Sequence, residues 1–543
     1  MQLPSPSHQN SDGDSEASSP EYLFLHTKSS ALQMLPSSNT DSQKSISTPN
    51  PSILQNIRRH PKITAWAVGL ATAFLLSGYD SAIVNTVPSV TQFQKDFGEQ
   101  YGANPSNYII PSLWLSLWSA SACIGQITGS LMSGPWQNRA GRKWPLAIGT
   151  IVSAVAVAIV YTSYLPRNIG ARRGMFLIGE TVQGIAIGVI TTTARTYISE
   201  TTPPCLRGSA LALLPTFTMV GELVGSITIF MSSGGDNSNS YLVTFNSMWP
   251  FSAVVFLIAL FVPESPTFLT RTGRVLDAHS SLQKLYTVDQ DCGQLLKEMQ
   301  GSLELEKQRG RQASYWECFR EGNLRRTMIV AFASLMPALF GLPLLSHASY
   351  FLQLIGMKES TSLLILILGV SLGLVANAAS VFVASCVGRR RLILSTLSVA
   401  TLLWLGIGIA GCWSGMVSAW YTAITMVVIT VVCGVGVWPA SYIVCGETSS
   451  LRLRANTQGI GSLGSQGSTI LLSFVLPYLY NKDAGNLGAK TGFIFCALCL
   501  VMVVLAWWTI PEMKGRTSDE IDQMFNLGLP ARRFRHWVGR ERI

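Results

Sequence analysis

Twelve long apolar stretches alternate with short polar segments along the chain. Each stretch runs for about 20 residues, enough for an α-helix to cross the ~30 Å hydrocarbon core of a bilayer. They begin near Ile63, Ile110, Trp144, Gly174, Ser209, Leu242, Met328, Ser362, Leu392, Tyr421, Thr457 and Gly492. The pattern therefore predicts an all-α membrane protein with twelve transmembrane helices.

The polar residues between the stretches form a repeat. Its members are Gly141-Arg142-Lys143, Glu200 and Arg207 in the first copy and Gly388-Arg389-Arg390, Glu447 and Arg454 in the second. In both copies the glycine and the glutamate are 59 positions apart, and the glutamate and the arginine are 7 positions apart. Each copy then reaches a Pro-Glu pair, Pro263-Glu264 or Pro511-Glu512. Such duplication is typical of transporters with two parallel halves, so we expect two six-helix bundles.

Changes in polarity divide the chain into five segments. We expect a disordered cytoplasmic tail over 1–62, because its first 50 residues are rich in Ser, Pro, Gln and Asn. A six-helix half follows over 63–262 and a second over 327–512. Between them, 263–326 predicts a cytoplasmic linker with amphipathic helices near 275–285 and 294–306. The last segment, 513–543, is a cytoplasmic tail with a basic end, for which binding to anionic lipid and simple solvation both stay open.

The charge pattern sets orientation rather than a macromolecular partner. The formal net charge is +10, but the basic residues lie at the ends of the stretches and not in one stripe with aromatic residues, so we expect no nucleic-acid binding. Most of them fall on the cytoplasmic side if the helices alternate from a cytoplasmic N-terminus; Arg167, Arg172 and Arg173 are exceptions. We expect a monomer, multi-pass in the cell membrane with both termini cytoplasmic, whose partners are the lipid bilayer, a small-molecule substrate and protons.

The corners of the repeat carry charges that can pair. Basic side chains there can reach Glu200 and Glu447 at the ends of neighbouring helices. If such pairs form only when the cytoplasmic ends of the halves approach, they act as a state-dependent latch; otherwise they only enforce topology. The candidate gating residues are Arg139, Arg142, Glu200, Arg207, Arg389, Glu447 and Arg454.

Several short motifs identify a family. They are Gly78-Tyr79-Asp80, Arg139-Ala140-Gly141-Arg142-Lys143, Gly179-Glu180, Tyr197-Ile198-Ser199-Glu200, Leu206-Arg207-Gly208, Pro263-Glu264-Ser265-Pro266, Ser349-Tyr350-Phe351 and Pro511-Glu512-Met513-Lys514. With them, residues 63 to 525 resemble the sugar porter family of the major facilitator superfamily (MFS), and most closely its fungal maltose and α-glucoside permease branch. The resemblance implies the MFS fold of twelve helices in two bundles, with alternating access around a central site.

Ionisable residues inside the apolar stretches are costly and are therefore functional candidates. They are Asp80, Glu180, Arg195, Glu222 and His347. Asp80 and Glu180 both fall in the outer part of the membrane and can face one another. Two carboxylates in a poorly solvated site cannot both carry charge cheaply, so one can hold a proton and act as proton carrier; the alternative is a packing carboxyl that stays protonated. We expect Arg195 to snorkel or to pair with Glu200, and His347 to pack.

The substrate positions depart from the family pattern. Sugar porters typically place amides where this chain has Pro215, Pro337 and Ala338, and some have Asn at Pro343. Two prolines around Gly341 predict a broken helix whose freed carbonyls line the cavity. The remaining candidate substrate-binding residues are Tyr350, Trp438, Tyr442, Gln183 and Asn377, although aromatic residues at helical spacing also suit a core.

These observations predict a secondary active transporter of a small organic solute. The resemblance favours proton-coupled sugar or glucoside transport. Loss of the amides favours a less polar metabolite, imported or exported, and a non-transporting sugar sensor is a further alternative. No nucleophile, phosphate-binding loop or metal-ligand spacing stands out, so we expect no enzyme activity, no cofactor and no metal.

Overall fold

A computed structural model describes residues 53–101, 108–233, 240–286, 292–310, 315–320, 322–413, 415–449, 453–516 and 518–537. Helix α1 (Ile53–Arg59) lies within the segment 1–62 that the sequence predicts to be disordered, and the first 52 residues of that segment lie outside the described ranges. The first half contains α2 (Pro61–Thr86), α3 (Thr91–Phe97), α4 (Ser112–Ala140), α5 (Lys143–Thr162), α6 (Ile169–Thr201), α7 (Pro204–Ser233), α8 (Ser240–Asn246) and α9 (Met248–Phe261). Between α3 and α4, β1 (Glu99–Gln100) and β2 (Tyr108–Ile109) pair antiparallel, with Glu99 opposite Ile109.

Three helices follow, α10 (Pro266–Arg271), α11 (Val275–Leu285) and α12 (Cys292–Gly310). The second half contains α13 (Leu324–Leu339), α14 (Leu342–Ser346), α15 (Ala348–Leu354), α16 (Glu359–Cys386), α17 (Arg389–Ala410), α18 (Met416–Val435), α19 (Val437–Thr448), α20 (Arg454–Tyr480) and α21 (Thr491–Thr509). Beyond it lie α22 (Ser518–Asn526) and a 3₁₀ helix, Ala531–His536.

Within these ranges, eleven helical segments are long and apolar enough to cross a membrane. Helix α4, 29 residues long, is the twelfth membrane-crossing helix, although it is less apolar than the other eleven. Its small residues allow it to pack close to α6. A Cβ added at Gly129 would lie 2.1 Å from the carbonyl oxygen of Ile185, and one at Gly188 would lie 2.3 Å from that of Gln126. Close backbone contact through small residues is a common way to pack membrane helices, and it removes the need for large apolar side chains.

The predicted broken helix is present in the second half. Helix α13 ends at Leu339, Gly341 has a left-handed backbone with φ 105°, and α14 starts at Leu342 with Pro343 in its first turn. A Cβ at Gly341 would lie 2.6 Å from the Trp404 ring, so only glycine fits this bend.

The described hydrogen bonds between the two halves gather at one end of the bundle. Ser112 at the start of α4 donates its backbone N–H to Asp483 over 2.7 Å, and Asn481 donates to the carbonyl of Ile110 over 2.9 Å. Nearby, Gln353 donates to the carbonyl of Ser89 over 2.8 Å. Helices α4 and α16 run from this end to the two repeated turns at Gly141-Arg142 and Gly388-Arg389, which we call the glycine-arginine corners. These hydrogen bonds therefore join the halves on the side opposite the corners.

Candidate functional site

Asp80, Glu180 and Gln183 form a buried polar group in the first half. Asp80 lies near the end of α2, and the other two lie one turn apart on α6; the exposed fractions are 2%, 2% and 1%. The Asp80 and Glu180 carboxylates are close enough to interact electrostatically, and Gln183 faces Asp80. The structure therefore brings together the two residues that the sequence suggested as a pair.

The polar atoms of this group lack partners. Within the described residues, one carboxylate oxygen of Asp80, one of Glu180 and both amide atoms of Gln183 are buried without a hydrogen-bond partner of good geometry. No lysine or arginine of the described residues forms an ion pair with either carboxylate. Buried polar groups are normally satisfied, so this cluster is a candidate functional site.

A second candidate site is an apolar cavity between the halves. Its lining includes Met219 and Glu222 of α7, Leu345 of α14, Ile365 of α16, Met426 of α18 and Trp438 of α19. Glu222 is the one charged residue in the lining. The sequence marked this residue as ionisable but gave it no role, since nothing local indicates which helices α7 meets.

The other predicted substrate residues are scattered. Tyr350 is 2% exposed, packs against Tyr480 and donates to Asn481 over 3.4 Å, so it joins the core at the closed end rather than the cavity. Asn377 lies on α16 and is half-buried, and the structure places neither it nor Gln183 in the cavity lining. Among the five candidates, Trp438 alone lies in that lining.

The positions where family members carry amides also differ from expectation. Pro337, Ala338 and Pro343 are buried by neighbouring helices rather than exposed to a cavity, whereas Pro215 is exposed. Leu342 and Leu345 of this segment line the cavity, and none of the four positions does. A role of these positions in substrate binding stays a prediction.

Of the two expectations for Arg195, pairing with Glu200 is not seen within the described residues. Its guanidinium lies 5.5 Å from the Phe74 ring centroid and near Tyr442 of the second half. Tyr442 is 59% exposed. Because α6 and α19 belong to different halves, these two side chains face each other across the space between them.

The first glycine-arginine corner is a closed network. Arg142 donates to Glu200 over 2.6 Å, and its side chain is only 3% exposed. Glu200 also accepts from the Ser265 hydroxyl over 2.6 Å. Glu264 accepts from the backbone N–H of Arg142 over 2.8 Å and of Lys143 over 3.2 Å, which places a carboxylate at the N-terminus of α5.

The second corner repeats this network. Arg389 donates to Glu447 over 2.8 Å. Glu512 accepts from the backbone N–H of Arg389 over 3.0 Å and of Arg390 over 3.3 Å at the start of α17. The repeated Pro-Glu pairs were visible in the sequence, but the capping role of Glu264 and Glu512 was not assigned.

Both ion pairs join elements of one half. They are formed here while the described hydrogen bonds between the halves lie at the opposite end. Whether pairing depends on the approach of the corner ends stays a prediction. Arg139 and Arg207 are exposed and have no ion pair within the described residues. The Arg454 side chain lies outside the described residues.

Comparison with known proteins decides the family. A family model described as Sugar (and other) transporter matches residues 66–525. The chain belongs to this family. It is a membrane transporter rather than an enzyme, and the expected MFS fold of twelve helices in two six-helix bundles is confirmed.

Individual relatives extend over most of the chain. The MFS transporter fmqE of Aspergillus fumigatus is 31% identical over 499 residues, covering 89% of this chain and 90% of that protein. A maltose permease of Saccharomyces cerevisiae is 26% identical over 492 residues, covering 89% of this chain and 79% of its own length. The xylose transporter XylE from E. coli, in a partially occluded inward open conformation, matches with a TM-score of 0.68 at 18% identity, covering 84% of this chain and 100% of XylE.

Proposed function

We propose that this family member is a proton-coupled secondary transporter that moves a small organic solute by alternating access. The observation that carries the proposal is the buried pair of Asp80 and Glu180, each of which has one carboxylate oxygen without a hydrogen-bond partner in the described structure. Two carboxylates this close in a dry site favour a state in which at least one holds a proton. Opening of the site to the other side of the membrane changes its hydration, which gives a route for the proton to leave.

Gln183 supports the role of this pair. Its amide lies beside the Asp80 carboxylate, within reach of a side-chain hydrogen bond. An amide can donate to a carboxylate or accept from a carboxylic acid, so it can follow either protonation state. We propose that Gln183 positions Asp80 rather than binding substrate.

The relatives suggest a sugar or glucoside as the first substrate class to test, because one of them is named a maltose permease. The cavity favours a second class. A sugar needs a polar partner for each buried hydroxyl, at a cost of about 1–3 kcal/mol for each one left unsatisfied. The lining is mostly apolar, and its polar side chains are Glu222, Ser346, Thr430 and Trp438. A less polar solute with few hydroxyl groups therefore fits this lining better than a sugar.

We also propose a cell-membrane location with both termini cytoplasmic. The exceptional basic residues outside are compensated in the structure: Arg173 pairs with Glu99 over 2.8 Å, and Arg172 lies 3.8 Å from Asp96. The basic residues at the corner side outnumber these arginines, and it is the excess of Lys and Arg that sets orientation. Tags at either end should then be accessible only after permeabilisation of cells.

The corner residues stay candidates for gating, in a revised role. Because each network ties the ends of three helices within one half, we propose that it keeps that half rigid while the halves rock. Combined Glu200→Gln and Glu447→Gln changes should alter cysteine labelling of the space around Tyr442, compared with unaltered corners. Identical labelling would leave these residues with a topological role only.

The decisive experiment is transport by purified protein in vesicles, with and without an imposed proton gradient. The panel contains glucose, maltose and a trisaccharide, together with apolar amines, alcohols and acids of similar volume. We expect one class to accumulate only with the gradient. Gradient-independent accumulation of every substrate tested, or no transport at all, would contradict the proposal.

Variants of the pair then assign the carrier. Asp80→Asn and Glu180→Gln keep side-chain shape but cannot titrate, so at least one should abolish uphill accumulation. Substrate exchange across equilibrated membranes needs no net proton movement and serves as the internal control for folding. If both single variants accumulate substrate with an unchanged pH dependence, neither carboxylate is the proton carrier.

A further inference from the structure

The C-terminal tail is anchored beside the last membrane helix. In the 3₁₀ helix Ala531–His536, Phe534 is 0% exposed and its ring lies 5.1 Å from that of Phe525. Arg325 of α13 lies over both rings, at 5.4 Å and 5.8 Å. The backbone of this short helix, which carries the arginines, is therefore anchored against the membrane bundle.

One of these arginines meets two membrane-level tryptophans. The Arg532 guanidinium lies 5.2 Å from the Trp507 ring centroid and 4.8 Å from that of Trp508. The Arg390 guanidinium lies 5.4 Å from the Trp507 ring centroid as well. The two tryptophans are 49% and 68% exposed in the last turn of α21, where a spanning helix reaches the headgroup layer and aromatic side chains are enriched.

The positive charge at this place is not neutralised by the tail. The Arg390 guanidinium donates hydrogen bonds to the backbone carbonyls of Ile510 and Trp507, over 3.0 and 2.6 Å. The Arg390 and Arg532 guanidinium groups are close enough to repel each other. The Glu512 carboxylate attracts Arg390, but it also accepts hydrogen bonds from backbone N–H groups. Arg532 is exposed and forms no ion pair within the described residues. Two neighbouring guanidinium groups in this state attract an anion.

An apolar stripe leads from the charged cluster into the membrane. Leu500 and Val504 are 56% and 51% exposed and precede Trp508 at four-residue intervals, so the three lie on one face of α21. A free phosphate ion would contact only the arginines. A phospholipid would contact the arginines with its phosphate and this stripe with an acyl chain.

We propose that Arg390, Arg532, Trp507 and Trp508 form a binding site for the phosphate of an anionic phospholipid. Its leaflet is the cytoplasmic one if the proposed orientation holds, and the site does not depend on the transported substrate. Arg532 supplies the N–H donors that remain available, and the tryptophan rings hold its guanidinium at headgroup depth.

The test uses the purified full chain in detergent micelles, titrated with phosphatidylglycerol, phosphatidylcholine or inorganic phosphate while the thermal unfolding midpoint is followed. We expect phosphatidylglycerol alone to raise the midpoint. Arg532→Gln should weaken its apparent affinity about fivefold, the loss of one arginine contact to an anionic headgroup.

Arg533→Gln is the matched control. A 3₁₀ helix has three residues per turn, so Arg533 points about 120° away from Arg532 while the change in net charge is the same. Equal weakening by the two variants would reduce the effect to general electrostatics and overturn the site. An equal response to phosphatidylcholine or to inorganic phosphate would overturn the assignment to an anionic lipid. The difference in tryptophan quenching by brominated phosphatidylglycerol between the unaltered chain and Trp508→Phe isolates the signal of Trp508. It checks the contact even if Arg532→Gln proves unstable.

Discussion

The two glycine-arginine corners contain the same arginine-glutamate ion pair, but they differ in the burial and hydrogen bonding of that pair. In the first, Arg142 and Glu200 have side chains that are 3% and 14% exposed; in the second, Arg389 and Glu447 are 18% and 29% exposed. Both oxygens of Glu200 are used, by Arg142 and by Ser265. In the second corner, one oxygen of Glu447 is buried without a hydrogen-bond partner in the described structure.

The difference follows from one position of the repeat. The residue after the Pro-Glu pair is Ser265 in the first copy and Met513 in the second. Serine donates to the glutamate, whereas the methionine is packed, at 1% exposure, and has no strong donor. Duplication thus preserved the backbone caps and the arginine-glutamate pairs and let the third contact diverge. The second corner has fewer hydrogen bonds, so breaking its ion pair should lower the stability of the protein by less.

Removing the acids should have the largest effect on this comparison. Glu200→Gln leaves the Arg142 charge buried and unpaired, so we expect a loss of about 3 kcal/mol of stability. Glu447→Gln leaves a more exposed arginine that water can reach, so a loss of about 1 kcal/mol is expected. Thermal unfolding midpoints of the purified single variants, in one detergent, give the ranking. Equal losses would mean that side-chain exposure does not control the strength of the corners.

Replacing the corner glycines should also destabilise the two corners to different extents, but the difference in stability should be smaller. A Cβ at Gly141 would lie 2.3 Å from a Glu264 carboxylate oxygen, and one at Gly388 would lie 2.2 Å from Glu512, so alanine displaces the helix-capping carboxylate in both. Gly141 additionally has φ 84°, whereas Gly388 has φ −66°. We therefore expect Gly141→Ala to cost about 1–2 kcal/mol more than Gly388→Ala.

The same unfolding measurement checks this prediction. A neighbouring glycine without such a contact, Gly134, is the control, because a Cβ there would meet nothing within 4 Å. Gly134→Ala should leave the midpoint nearly unchanged. A larger loss from Gly388→Ala than from Gly141→Ala would show that backbone strain is not the distinguishing term.

Sequence reasoning located what depends on local pattern. Hydropathy predicted the helices, matched spacing predicted the arginine-glutamate pairs, and two prolines around Gly341 predicted the broken helix. It could not decide which partner a long side chain selects: Arg195 lies five residues before Glu200, yet Arg142 from another helix occupies that carboxylate. The partner of a long side chain depends on which groups lie close to it in the folded protein, because residues far apart in sequence compete for one acceptor.

The candidate sites show the same limit. The membrane depth of Asp80 and Glu180 could be counted along the helices, so their proximity was predictable. The burial of Tyr350 and the entry of Glu222 into the cavity could not, because each depends on the rotation of one helix against another half. The family motif that includes Tyr350 marks a position, and the packing of Tyr480 and Asn481 around it decides what that position does.

The smallest predicted effect concerns the residue that distinguishes the corners. Ser265→Ala removes the second hydrogen bond of Glu200 and the side-chain cap that accepts from the Phe268 backbone N–H over 3.4 Å. We expect a loss of about 1 kcal/mol, which would bring the first corner close to the second. In this background, Glu200→Gln should cost about 0.5–1 kcal/mol less than in the unaltered protein, because the glutamate has one contact fewer to lose. A double-variant cycle on unfolding midpoints measures this coupling. Met513→Leu, which keeps the volume of the second corner and adds no donor, should leave the effect of Glu447→Gln unchanged; strict additivity in the first corner would show that Ser265 does not close the network.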